Sequence, residues 1–355
     1  MKNIWKSIFY IAAGLLVISC AKAVSEGANE ASQRYFDAWI SLNHPDLKGT
    51  WNGEDNPNGI YIFPADDIKG TGKTVKKDGY VIVDYITYDL EGNISEYTDA
   101  ATARQLGEYD PSTYYGSQVW LTYDGAIASG VQNALLGMKE GGKRKVIIPS
   151  WLMTYSTYDT AEKYLEHSGD FTNCVYEFTV KAYTDSIEVW QRDSIERYIV
   201  KNYGGISTFA NDTTGFYMRH NVAVSSDAQV FPEDTTIYVN YTGKLLNGLV
   251  FDTTSERIAK DNDIYDPTRE YAPVKITWGE SYSEITMGND GSSVITGFAM
   301  ILSKMKYKPD NAEWKDSCTG IFDSVLGYGY SGSGASIPGY APLIFEIEVV
   351  DAPEE

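Results

Sequence analysis

The sequence predicts an α+β protein made of two copies of one unit, each an antiparallel β-sheet wrapped around one short helix, with a helix linking them. Three observations carry this expectation. Tyrosine is abundant (28 residues) beside 32 Gly and 8 Trp, a composition that favours strands. Val81-Ile82-Val83-Asp84-Tyr85 and Ile237-Tyr238-Val239-Asn240-Tyr241 alternate as half-buried strands do. The chain also repeats itself. Gly59-Ile60-Tyr61-Ile62 matches Gly215-Phe216-Tyr217-Met218, the two strands match each other, and Gly92 matches Gly248, every time 156 residues apart. Leu136-Gly137-Met138-Lys139 matches Ser303-Lys304-Met305-Lys306 at an offset of 167, and Val175–Phe178 matches Ile344–Ile347 at 169. The growing offset is what loop insertions in the second copy would produce.

Helical spacing places Tyr35, Trp39 and Leu42 on one side of a helix over 29–42. A second helix is expected over 185–203, with Ile187, Trp190, Ile195, Tyr198 and Ile199 as its apolar stripe. Asp185 or Ser186 can cap it, and Gly204-Gly205 stops it. Short helices at 132–136 and 298–303 complete the copies. The expected organisation is a signal at 1–19, a tether at 20–33, a first copy with its helix at 34–184, a linker helix and arm at 185–230, and a second copy at 231–352.

The first residues form an export signal: Lys2 and Lys6, an apolar run from Ile8 to Ile18, then Ser19-Cys20. Val17-Ile18-Ser19-Cys20 resembles a bacterial lipobox, which implies that Cys20 carries a lipid anchor. The run is too short to cross a hydrocarbon core of about 30 Å at ~1.5 Å per residue. The expected location is the bacterial cell envelope, lipid-anchored in the outer membrane and facing the periplasm.

A net charge of −20 argues against nucleic acid and anionic headgroups as partners, since both would be repelled. Cys174 and Cys318 match no zinc or redox spacing, and His44, His167 and His220 lie far apart. No phosphate-cradling loop or nucleophile elbow is present, and Gly327–Gly334 precedes a strand rather than a helix. No metal and no cofactor are expected.

The second copy carries specific motifs. Val239-Asn240-Tyr241-Thr242-Gly243-Lys244-Leu245-Leu246-Asn247-Gly248-Leu249-Val250-Phe251-Asp252 opens it. Val294-Ile295-Thr296-Gly297-Phe298, Leu326-Gly327-Tyr328-Gly329 and Ile337-Pro338-Gly339-Tyr340-Ala341-Pro342-Leu343-Ile344-Phe345-Glu346 follow in order. Together, over 237–350, they resemble the FKBP-type peptidyl-prolyl cis-trans isomerases. The resemblance implies a pocket with Phe298 as floor and Tyr241, Phe251, Val294, Ile295, Ile337 and Phe345 as walls. It implies that Tyr328 donates to a substrate carbonyl, that Asp252 sits at the pocket edge, and that Arg257 pairs with Asp252. The implied partners are proline-containing exported polypeptides.

The chain departs from the family's pattern in a long charged loop after Asp252, in Val274 where an aromatic often closes the pocket, and in an insertion at 307–314. The first copy departs further. Ile94-Ser95-Glu96 stands near the place of Phe251-Asp252, Val131 replaces the floor, and the late loop at 151–172 lacks the Tyr-Gly and Ile-Pro pieces. Only 134–149 remains family-like there, so no isomerase activity is expected of it. Two other readings stay open: a non-catalytic module that holds a partner protein in the same pocket, and a glycan-binding lipoprotein suggested by the many Tyr and Trp.

Overall fold

The structure, a computed structural model, describes residues 28–47, 59–167 and 172–353. The expected export signal and lipidated Cys20 lie outside the described residues. Among these, no helix is long and apolar enough to cross a membrane.

The first half runs α1 (Ala28–Asn43), β1 (Tyr61–Ile62), β2 (Tyr80–Tyr88), β3 (Ile94–Tyr97), α2 (Ala100–Leu106), β4 (Gln118–Leu121), α3 (Ser129–Leu135), β5 (Lys143–Ile148), α4 (Ala161–His167) and β6 (Cys174–Thr184). Its sheet has the order β1-β5-β6-β2-β3, with β4 also paired to β2, and every pairing is antiparallel. Helix α5 (Ile187–Tyr203) leads into β7 (Ala210–Thr213), β8 (Phe216–His220), β9 (Gln229–Val230), β10 (Thr236–Leu245) and β11 (Val250–Thr253). Then come α6 (Glu256–Asp261), β12 (Val274–Thr277), β13 (Thr286–Met287), β14 (Ser292–Ser293), α7 (Thr296–Lys304), β15 (Lys306–Tyr307), β16 (Ser317–Phe322) and β17 (Leu343–Val350). The fold is α+β, with antiparallel sheets and few helices, as the composition and alternation predict.

The second sheet contains the path β8-β16-β17-β10-β11 with β12 also on β10, the same order as the first. From Val83 and Val239 onward the registers agree residue by residue, while β2–β6 alone carries a further bulge between Ile82 and Val83. Tyr85 faces Phe178 and Tyr241 faces Ile347; Ile86 faces Tyr97 and Thr242 faces Thr253. Both hairpins bulge at one place, between Thr87 and Tyr88 in β2 and between Gly243 and Lys244 in β10. Strands β7 and β8, which the expected boundary at 231 leaves in an arm, form the far edge of this sheet.

Each sheet curls over its helix because a glycine lets the two touch. A Cβ on Gly130 in α3 would lie 2.3 Å from Ile148 Cγ2, and one on Gly297 in α7 would lie 2.5 Å from the Phe322 ring. Val131, Ala134 and Leu135 fill the first core, and Phe298, Ala299, Ile301 and Leu302 the second.

Ser186 caps α5 by accepting from Val189 N–H, and Gly204, at φ 82°, ends it in the left-handed region. Ile195 and Ile199 pack on Tyr217, Ile321 and Ile344 of the second sheet. Gln191, fully buried, donates to Ser324 Oγ at 2.9 Å and accepts from Ser324 N–H at 2.7 Å. The helix therefore belongs energetically to the second sheet. Cys174 is half-buried and Cys318 buried; both are free thiols.

Burial pushes the Tyr61, Tyr85, Tyr183 and Tyr217 phenols from 10.0 up to about 12. A raised folded-state value contributes stability that is complete below pH 10.0 and is lost as pH climbs towards the folded value. Urea midpoints are expected to hold steady between neutral pH and pH 10.0 and to drop beyond it; a flat alkaline limb would contradict this.

Candidate active site

The β10–β11 hairpin, the N-terminus of α7 and the loop before β17 enclose a cleft of about 570 Å³. Phe298, 3 % exposed, lies at its base, where the helix start places the first large side chain of α7. Tyr241 meets the Phe298 ring edge-on at 5.5 Å, Phe345 meets it at 5.0 Å, and Phe251 stands against Phe345 at 5.6 Å. Gly243 makes this possible: a Cβ there would sit 2.5 Å from Phe251 Cε2 and 2.9 Å from Phe345 Cε1. Val294, Ile295 and Ile337 complete the apolar walls, and Tyr328 stands partly exposed at the mouth. Nine of the ten site residues named from the sequence line this one cleft; Arg257 does not.

Asp252 is the polar centre. Tyr241 donates to its Oδ2 at 2.6 Å, and the Arg269 guanidinium donates to its Oδ1 at 2.5 Å. Burial first, and the Asp252 charge second, push the Tyr241 phenol far above its usual value. The same two causes raise Tyr328. Both hydroxyls therefore keep their protons at physiological pH. The Tyr241 hydroxyl is committed to Asp252.

The partner of Asp252 is a correction to the sequence reading. Arg257 lies on α6, largely exposed, and pairs with Asp261 at 3.7 Å. Arg269 takes its place, and a signal for it was present. Tyr109-Asp110-Pro111-Ser112 and Tyr265-Asp266-Pro267-Thr268 are again 156 residues apart. The two loops fold alike. Asp110 and Asp266 each accept from the residue two ahead, and each Asp N–H donates to a Tyr hydroxyl five ahead. The Tyr109–Tyr115 and Tyr265–Tyr271 rings both stack at 5.4 Å. Arg269 is held by this turn. Arg269→Ala is expected to lower activity roughly tenfold, because it removes a charge-assisted bond to Asp252. Arg257→Ala, which breaks only an exposed pair, should stay within about twofold. Steady-state kinetics on the two variants checks the order.

The matching position in the first sheet is different. Glu96 takes the place of Asp252 by register, and Tyr85 donates to its Oε2 at 3.4 Å. Val131 stands where Phe298 forms the floor. Trp120, whose counterpart in register is Ile276, packs on Tyr85 at 4.7 Å and on Phe178 at 6.3 Å.

His220, remote in sequence, meets Asp316 and Cys318, the three ligand-type atoms lying within 4.8 Å of one another. The buried Asp316 carboxylate accepts from Lys306 N–H at 2.8 Å and hydrogen-bonds His220 Nδ1 at 3.0 Å. These bonds account for the cluster as a satisfied polar pocket in the second sheet.

Residues 228–350 match the profile of the family described as FKBP-type peptidyl-prolyl cis-trans isomerase. A curated relative, a probable FKBP-type peptidyl-prolyl cis-trans isomerase of Haemophilus influenzae, is 29% identical over 139 residues. The match covers 39% of this chain and 44% of that protein's length. Among solved structures, the three FKBP domains of wheat FKBP73 align over 83% of this chain and 95% of theirs, at 14% identity and a TM-score of 0.26. The peptidyl-prolyl cis-trans isomerase of Pseudomonas syringae pv. tomato aligns over 45% of this chain and 98% of its own, at 19% identity and a TM-score of 0.30. The profile match and the curated relative agree that the C-terminal region of this chain is similar to FKBP-type peptidyl-prolyl cis-trans isomerases.

Proposed function

We propose that the protein is a peptidyl-prolyl cis-trans isomerase that assists the folding of exported polypeptides through the aromatic cleft of its C-terminal domain. The observation that carries this reading is Asp252, held by Tyr241 and Arg269 at the edge of an aromatic cleft floored by Phe298. Rotation about an Xaa-Pro bond faces a barrier of about 18–20 kcal/mol, because the amide loses its conjugation midway. No covalent bond breaks, so binding the twisted amide more tightly than the planar one is sufficient. The apolar walls grip the prolyl ring and exclude the water that stabilises the planar carbonyl. Tyr328 donates to a substrate carbonyl, and the fixed Asp252 carboxylate opposes the carbonyl oxygen as it turns.

The chain is read as two FKBP-like copies, with the lipid on Cys20 anchoring it in the bacterial outer membrane on the periplasmic side. The first copy, with Val131 for the floor and Trp120 packed on Tyr85, is a non-catalytic unit. The test is isomerisation of a short Xaa-Pro peptide by the full chain. Acceleration that disappears in Asp252→Val supports the reading; a wild-type rate equal to the uncatalysed one leaves a non-catalytic polypeptide-binding module instead.

A further inference from the structure

We propose that the cleft between the two sheets is a subsite for the residues flanking the substrate proline, and that it favours a basic side chain there. The inference rests on the isomerase reading and deepens it. The loop 107–117, between α2 and β4, reaches across to the second sheet. Tyr114 N–H donates to Ala335 O at 2.8 Å, the Tyr114 side chain packs against the second core, and Tyr80 meets Tyr340 edge-on at 5.6 Å. Ala335 and Tyr340 belong to the loop that also carries Tyr328 and Ile337, so the first half holds the segment that closes the prolyl cleft.

Beside it a second cleft of about 410 Å³ opens, with Pro111 and Ser112 on one wall and Ile264 and Tyr265 on the other. It shares Phe251, Arg269 and Ser336 with the prolyl cleft, so the two form one groove. Extended chain advances ~3.3 Å per residue, so neighbours of a proline seated on Phe298 run into the second cleft within a few residues. Charge narrows the occupant. Arg269 is already paired with Asp252, while Asp110 and Asp263 line the same cleft. Hydrogen bonds from Ser112 lower the Asp110 pKa and keep that carboxylate ionised.

The experiment uses the full chain and peptides of about twelve residues, long enough at ~3.3 Å per residue to run past both clefts. The peptides differ only in carrying Lys or Glu on either side of the Xaa-Pro bond. Wild type is expected to favour the Lys peptide, and the double variant Asp110→Asn, Asp263→Asn to lose roughly threefold of that preference. Asn suits both positions: it keeps an acceptor for Ser112, and it tolerates the φ of 58° at Asp263. Ser112→Trp, which fills the cleft, should lower kcat/KM for long peptides relative to short ones. An unchanged Lys preference in the double variant, or an unchanged long-to-short ratio in Ser112→Trp, overturns the subsite. A wild-type chain that does not accelerate even a short peptide overturns the isomerase reading, and this inference with it.

Discussion

Phe298→Ala is expected to abolish measurable isomerisation and to cost about 3–5 kcal/mol of stability, the range for emptying a buried aromatic site. Phe298 is 3 % exposed and touches both the cleft and the second core, with Tyr241 and Phe345 leaning on its ring. The substitution therefore removes the surface on which the prolyl ring would rest and leaves a void beneath it. Phe298→Leu separates the two effects. It keeps much of the volume, so its cost should stay below about 2 kcal/mol, while the flat ring face is lost. Denaturant unfolding followed by near-UV circular dichroism reads the stability, and peptide kinetics on the folded fraction reads the chemistry. A folded Phe298→Leu chain working at the wild-type rate would show that the ring does not form the floor.

Asp252→Val is expected to lower kcat/KM on the order of a hundredfold, the scale seen when one preorganised polar group is removed from a reacting site. Three consequences coincide. The carboxylate proposed to oppose the turning carbonyl disappears, the Tyr241 hydroxyl loses its acceptor, and the Arg269 guanidinium is left without its counter-ion. An unpartnered buried donor costs roughly 1–3 kcal/mol, so a loss of stability should accompany the loss of rate. Asp252→Asn keeps the shape and an acceptor for Tyr241 but removes the charge. If charge is what the reaction uses, Asn should resemble Val in rate while resembling wild type in stability. The opposite pattern, Asn working like wild type, would assign Asp252 to positioning Tyr241.

The sheets and the cleft walls were legible because strands write themselves in period two and the motifs kept their order. Tyr241, Phe251 and Phe345 lie on strands whose register follows from alternation, and Phe298 opens a helix marked by Gly297. Arg269 was not legible in that way. It reaches Asp252 from a turn seventeen residues on, and a turn encodes its geometry in short polar contacts rather than in periodicity. Only the second occurrence of Tyr-Asp-Pro, at the established spacing, exposes it. Sequence spacing likewise leaves strand β8 in an arm, although its residues match β1. Its pairing with β16 joins residues about a hundred positions apart, and no local pattern states such a pairing.

Two sheets of one register within one chain also pose a problem of partner choice during folding. Strand β2 could pair with β17 instead of β6 over Val83–Tyr88, where the two registers coincide. Charge tells the strands apart. In its own sheet Asp84 faces Thr179 and is neutralised by Lys181 at 3.0 Å, while Asn240, its counterpart, faces Glu348. The exchanged pairing would set Asp84 directly against Glu348, and like charges across a ladder are unfavourable. A single neutral asparagine on one strand and a carboxylate on the other thus let each half of the chain recognise itself.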